Sequence, residues 1–361
     1  MMDILKIASE FDIPSVPVNF SECCIGHINS TFFIECSDGV RYVLQKINTS
    51  IFKDPDVLMN NIFAVTSFIR QKLKRCGADY SRGTLHFFRT KAGDTYFRAD
   101  DGMVWRLYRC IEGVTTLQFC DSPEVFGKVG SAFGTFQRRL SDFDASVLQE
   151  TIPDFHNTAK RYKTFLASLA KDASGRAFNA GPEIDFVKRR EHICSFIVDG
   201  IAAGRLPLRV THNDTKLNNL LLDENTLEPV CVIDLDTVMP GSVLYDFGDA
   251  IRSGAAMQPE DSSDYAACGV NVDMFAAFAK GFISGLDGSL KDYEIRQFPV
   301  GAQIITFETG MRFLTDYLDG DVYFRTQYAD HNLVRARNQF AMVADIERKM
   351  PQLNAIIESL L

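Results

Sequence analysis

The hydrophobic period of this chain changes near residue 111, and that change restricts its fold more than any other feature. Before it, short runs are strand-like: Thr31-Phe32-Phe33-Ile34-Glu35-Cys36 and Val40-Arg41-Tyr42-Val43-Leu44-Gln45-Lys46-Ile47. Ser37-Asp38-Gly39 between them is a hairpin turn signal. The spacing predicts a helix from about Asp54 to Arg75, with Pro55 in its first turn and Val57, Leu58, Ile62, Val65, Ile69 and Leu73 recurring along one face. Three more strands are expected at Leu85–Arg89, Thr95–Arg98 and Met103–Cys110, with turns at Lys91-Ala92-Gly93-Asp94 and Asp100-Asp101-Gly102. The first 111 residues thus read β-β-α-β-β-β.

After Glu112-Gly113 the pattern is mostly helical. Helices are expected over Pro123–Leu140, Thr158–Ala170, Pro182–Gly200, Val272–Leu286 and Asn332–Lys349, with one β-rich interruption near residues 208–234. The expectation is an α+β, bilobal chain: a small antiparallel β-sheet with one helix over 1–111, and a larger, mainly helical part over 112–361. A length of 361 residues suits two such parts. The formal net charge of −9 argues against a general nucleic-acid or anionic-membrane binder. No apolar run is long enough for a membrane span, and the start, Met1-Met2-Asp3-Ile4-Leu5-Lys6, lacks the apolar core of a leader. The nine cysteines contain no Cys-x-x-Cys and no Cys/His cluster, so free thiols in a reducing cytoplasm are expected rather than zinc.

The interruption carries the chemistry. It reads Leu208-Arg209-Val210-Thr211-His212-Asn213-Asp214-Thr215-Lys216-Leu217-Asn218-Asn219-Leu220-Leu221-Leu222, then a turn, then Val230-Cys231-Val232-Ile233-Asp234-Leu235-Asp236. The runs 220–222 and 230–233 can pair as a hairpin, which would bring Asn219 and Asp234 to one end, beside the loop of Asp214. A hard ion such as Mg²⁺ takes oxygen ligands, and phosphoryl transfer also needs a carboxylate to orient the attacking hydroxyl. Asp214, four residues and Asn219, followed by a strand-borne acid, match the kinase catalytic-loop pattern. Asp214 is therefore the candidate base, and Asn219 and Asp234 the candidate metal ligands. The alternative is a polar-ended surface hairpin whose Asp and Asn are ordinary turn formers. His212 reads as a buried brace of the loop rather than a catalyst. Asp246-Phe247-Gly248 copies the protein-kinase metal triplet literally, but no strand leads into it, so Asp246 is expected to cap a helix or brace a loop.

With these residues in view, the chain resembles the aminoglycoside phosphotransferase and choline kinase superfamily, whose members share a protein-kinase-like bilobal fold. The resemblance is carried by Gly26-His27-Ile28-Asn29-Ser30-Thr31, residues 42–52, 208–221, 233–242 and 245–252, Gly310–Leu314, Asp321–Phe324 and His331–Val334. Within the superfamily these segments are similar to the sugar kinases that act on N-acetylhexosamines at the anomeric C1 hydroxyl. That resemblance implies ATP as phosphoryl donor, Mg²⁺ as cofactor and a small sugar as acceptor; no protein partner is implied, and charge and hydropathy lead to the expectation of no nucleic-acid or membrane partner. The resemblance implies the base at Asp214, metal ligands at Asn219 and Asp234, and sugar contacts at His27, Lys216, Arg312 and Tyr323. The ordinary alternatives are an ion pair of Arg312 with Asp316 or Asp319, and core packing of Tyr323. Nucleotide contacts are expected around Gly26 and Asn29, and at Tyr108 and Ile111 where the lobes join.

Two departures stand out. Protein kinases pair a strand lysine with a helix glutamate; here Gln45 and Lys46 face opposite sides by alternation, and the helix over 54–75 has no acid beyond Asp56. The glycine loop is reduced to Gly26. These departures leave open a catalytically silent nucleotide-binding regulator; the superfamily motif, which alone fixes only a small-molecule kinase, leaves open a kinase for another small alcohol of choline or aminoglycoside type.

Overall fold

The period-two segments do form strands, and the protein is α+β. The computed structural model describes residues 4–23 and 28–361. Its chain divides into two compact units.

The first unit gathers the described residues up to Thr116 with Asp142–Pro153 and Leu220–Pro240. Its main sheet is antiparallel and six-stranded, in the order Pro17–Cys23, Ser30–Cys36, Arg41–Ile47, Val104–Arg109 and Phe87–Phe88, with Phe97–Arg98 also paired to Val104–Arg109. Gly39 makes the first hairpin turn at φ +81°, and its N–H donates to the Cys36 carbonyl at 2.9 Å; an L side chain is strained there. Alternation sorts the side chains. Tyr42, Leu44, Trp105 and Leu107 pack with Ile4 and Ile7 of the short helix Ile4–Ala8 and with Phe11 just after it. Gln45 and Arg106, paired opposite each other, point to the other face. The expected helix is present as Pro55–Arg75, capped by the Asp54 carboxylate, which accepts the Asp56 and Val57 N–H groups at 3.1 Å.

The hairpin Leu220–Asp223 and Pro229–Val232 also belongs to this unit. Its register sets Val232 opposite Leu220, the residue that follows Asn219 in the chain. A short strand absent from the sequence reading, Val114–Thr115, pairs on the hairpin's other side with Asp223 and Leu222.

The second unit comprises Leu117–Ser141, Asp154–Asn219 and Gly241–Leu361 and is mainly helical. Helices Pro123–Arg139 and Val272–Leu286 cross so closely that a Cβ on Gly281 would lie 1.9 Å from the Gly127 carbonyl oxygen. Helix Phe298–Asp319 is absent from the sequence reading, and helix Val243–Gly254 extends well before the helix-like stretch at 249–252. Both are buried nearly all round, so neither shows the one-sided stripe on which periodicity depends. The single helix expected over Pro182–Gly200 is instead Gly181–Lys188 and Phe196–Ala202 with a 3₁₀ turn between. At the break, Arg190 forks onto the Glu347 carboxylate at 2.8 and 2.6 Å. The last helix, His331–Glu358, runs through Pro351, because Leu353 and Ile357 are buried beyond it. Among the described residues, no helix is long and apolar enough to cross a membrane, and the described cysteines are free.

Candidate active site

The loop after strand Arg209–Thr211 is built on a buried acid. Asp246, in the first turn of helix Val243–Gly254, accepts the His212 N–H at 2.9 Å, the Asn213 N–H at 2.7 Å and the Gln137 amide at 2.6 Å. Its own carbonyl accepts the Thr215 hydroxyl at 2.6 Å. Ser242 caps the helix, so Asp246 is the loop's brace. Burial pushes its carboxyl above the ordinary aspartate range, against the His212 ring and the donated hydrogen bonds. His212 is fully buried, with Phe133 and Phe136 edge-on to its ring, and its Nδ1 accepts the Asp214 N–H at 3.3 Å.

A second brace, absent from the sequence reading, holds the same loop. Asn213 adopts φ +65°, and its carbonyl meets His156 Nε2 at 3.2 Å. His156 Nδ1 lies 2.8 Å from the fully buried Glu308, which also accepts the Thr158 hydroxyl at 2.6 Å. Burial raises the Glu308 carboxyl, but His156, Arg312 and Thr158 outweigh it and hold it below the ordinary range.

Between the braces stands Asp214. Its Oδ1 meets Lys216 Nζ at 2.7 Å, and its Oδ2 accepts the Asn219 amide at 2.8 Å. The same amide donates to the Asp214 carbonyl at 2.8 Å. Burial alone would raise the Asp214 carboxyl; the Lys216 ammonium first, then the His212 ring and the Asn219 amide, bring it below the ordinary value. Burial opposes the Lys216 charge, but Asp214 and Asp249 raise its pKa overall. The arrangement is an ionised, half-buried carboxylate of fixed direction with a cation beside it, which suits accepting a proton from a hydroxyl while adjacent negative charge is neutralised.

The sugar candidates on helix Phe298–Asp319 and after it are also placed. Arg312 lies over three rings, Phe155 at 5.5 Å, Phe324 at 5.5 Å and Tyr323 at 5.9 Å. It makes no ion pair with Asp316 or Asp319. Asp316 instead accepts the N–H groups of Val322, Tyr323 and Phe324 and the Asn332 amide, while Asp319 accepts the Ser168 hydroxyl. Tyr323 is 61% exposed rather than packed in a core.

In the first unit, Asp234 is exposed at φ +57°, at the start of a 3₁₀ turn Leu235–Thr237. Tyr108 lies on the Gln45 face of the sheet, where burial, opposed by Arg106 and reinforced by Asp234 and Asp236, pushes its phenol up. Ile111 follows that strand, half-buried. Asn29 donates to Asp236 at 2.6 Å and accepts the Asn48 N–H at 2.9 Å. Gly26 and His27 lie outside the described residues. Among the described residues no group of three or more His, Cys, Asp or Glu is placed to hold a metal by itself. The donors at Asn219 and Asp234 are an amide and a carboxylate, hard oxygens of the kind Mg²⁺ takes when phosphates and water complete its shell.

A sheet unit, a helical unit, an Asp-x₄-Asn loop and a hairpin ending in an acid are the parts of the protein-kinase-like phosphotransfer fold. The chain belongs to the phosphotransferase enzyme family, whose pattern it matches over residues 22–269. Solved structures of similar fold include an aminoglycoside phosphotransferase from Alicyclobacillus acidocaldarius, at 13% identity over 100% of this chain and 97% of that one with a TM-score of 0.64. A choline kinase from Cryptosporidium parvum matches at 13% identity, 96% and 94% coverage, and a TM-score of 0.57. An amicoumacin kinase in complex with AMP-PNP, Ca²⁺ and amicoumacin matches at 14% identity, 96% and 92% coverage, and a TM-score of 0.55.

Proposed function

We propose that the protein is an N-acetylhexosamine 1-kinase, a cytoplasmic enzyme that moves the ATP γ-phosphoryl group to the C1 hydroxyl of N-acetylglucosamine or N-acetylgalactosamine. The observation that carries the reading is the Asp214 carboxylate, kept ionised and aimed by Lys216 and Asn219 on a loop braced at both sides. Asp214 accepts the proton of the attacking hydroxyl, and Lys216 neutralises charge on the transferred group. Asn219 and Asp234 would hold Mg²⁺, which would supply positive charge to neutralise the phosphates. Residues 1–111 serve the nucleotide, through Gly26, Asn29, Tyr108 and Ile111; residues 112–361 serve the acceptor, and His27 is a further sugar contact. Support for a neutral, oxygen-rich acceptor comes from Arg312, whose guanidinium lies against three aromatic rings and acts on the buried Glu308 only through its charge, which leaves its fork of donors for an acceptor's oxygens. A choline-like cation would meet repulsion there.

The test is turnover of ATP and Mg²⁺ with a panel of N-acetylglucosamine, N-acetylgalactosamine, glucose, choline and an aminoglycoside, followed by phosphorus NMR of the product. Phosphate on C1 of an N-acetylhexosamine is expected. ADP release with choline or the aminoglycoside but neither N-acetylhexosamine refutes the substrate. Nucleotide binding without turnover of any acceptor favours the regulator.

A further inference from the structure

Among the described residues there is no lysine–glutamate pair of the protein-kinase kind, yet the sheet does carry a buried cation. Arg106 sits opposite Gln45 in the register, on the same face. Its Nε and Nη2 donate to Gln45 Oε1 at 3.0 and 2.8 Å, and its Nη1 pairs with Asp236. Gln45 donates its own amide to the Thr31 hydroxyl at 3.1 Å, which fixes its oxygen toward Arg106. The Arg106 and Asp236 side chains are only 3% and 4% exposed.

Asp236 is tied on every side. Beyond Arg106, it accepts the Asn29 amide at 2.6 Å, and its carbonyl accepts the Thr151 hydroxyl at 2.8 Å. It lies two residues past Asp234, inside the turn that gives Asp234 its left-handed backbone. That conformation costs a non-glycine residue about 1 kcal/mol or more, so neighbours must impose it. A buried ion pair adds little net stability over apolar packing of the same volume. What a guanidinium fork supplies is direction.

We infer that Arg106, oriented by Gln45, is a positioning residue that fixes the 234–237 turn through Asp236 and so sets the direction of Asp234 toward Mg²⁺. The sheet-borne cation of this chain acts through the metal turn, whereas a kinase strand lysine acts on the phosphates directly. This rests on Asp234 being a metal ligand, as the proposed function has it.

The test is calorimetric titration of AMP-PNP with and without Mg²⁺, giving the Mg²⁺ half-saturation of the nucleotide complex. Two variants are compared with wild type: Arg106→Met/Asp236→Leu, which replaces the pair by apolar volume, and Gln45→Leu, which leaves the pair but frees the guanidinium. The double variant is expected to raise the Mg²⁺ half-saturation about 10–100-fold, the usual effect of losing a partner behind a metal ligand. Gln45→Leu, which keeps the Asn29–Asp236 bond, should raise it by about threefold or more in the same direction and leave metal-free nucleotide affinity within about threefold. If the double variant does not fold by circular dichroism, Gln45→Leu decides alone. A Mg²⁺ half-saturation that stays at the wild-type value in the folded variants overturns the inference and leaves the kinase reading standing. A wild type whose nucleotide affinity ignores Mg²⁺ removes both.

Discussion

Asp214→Asn separates charge from shape at the centre of the site. The amide keeps the side chain's volume and one acceptor oxygen, but loses the charge and the ability to take a proton. The stability cost is small. The Lys216 side chain is 45% exposed and that of Asp214 25%, so water screens their pairing and its loss is worth about 0–1 kcal/mol. Turning an NH₂ toward either Lys216 or Asn219 removes one hydrogen bond, about 1 kcal/mol more. The sum, about 1–2 kcal/mol, lowers the melting temperature by a few degrees. Catalysis loses far more, since a positioned base contributes about 10²–10⁴-fold, or about 3–5 kcal/mol of barrier. The expected result in a coupled ADP-release assay is therefore a fall in kcat of that size, with MgATP binding nearly unchanged. The pH profile checks the same reasoning. A base works when ionised, so activity is full above its pKa and lost as pH falls through it. Because Lys216, His212 and Asn219 hold Asp214 below the ordinary value of 3.8 against burial, the acid limb of wild-type kcat/KM from this group should lie below about pH 4. A variant with kcat within tenfold of wild type, or an acid limb centred above about pH 6 that the variant lacks, would refute the argument.

Glu308→Gln should cost about 2–4 kcal/mol in urea unfolding, because it breaks a fully buried charge-assisted cluster with His156 and Thr158. The wild-type carboxyl is depressed below 4.5, so its contribution is present above that value and is lost as pH falls through the folded pKa; a variant that matches wild type in both stability and acid sensitivity would contradict this. Gly281→Ala should destabilise by about 1–3 kcal/mol, although alanine is the better helix former by about 1 kcal/mol, since its methyl would strike the Gly127 carbonyl. An unchanged denaturation midpoint would show that the two helices can move apart freely.

Much of the scaffold could be read without coordinates. Gly39, flanked by two alternating runs, announces its own turn, and Asp54-Pro55 announces the start of the helix that follows. The hairpin after Asn219 was legible from two apolar runs and a turn, and its register depends on nothing more distant. The expected brace at Asp246 was legible too, because the kinase-like triplet stands well past the hairpin and ahead of a helix-like stretch; the short strand Met239–Gly241 before it was not foreseen, and Asp246 still braces the loop from within the helix's first turn. By contrast, Phe298–Asp319 escaped notice since burial all round erases the periodic signal.

Local spacing, turn chemistry and residue type, then, set the α+β order and the identity of Asp214, Asn219 and Asp234 as the residues to examine. Tertiary structure alone decided what stands behind them. Arg106 meets Asp236 across 130 positions, and His156 meets Glu308 across 152. Nothing in the sequence near either residue names its partner. Burial makes each of these polar groups need a partner, and only the folded chain determines which one lies within reach.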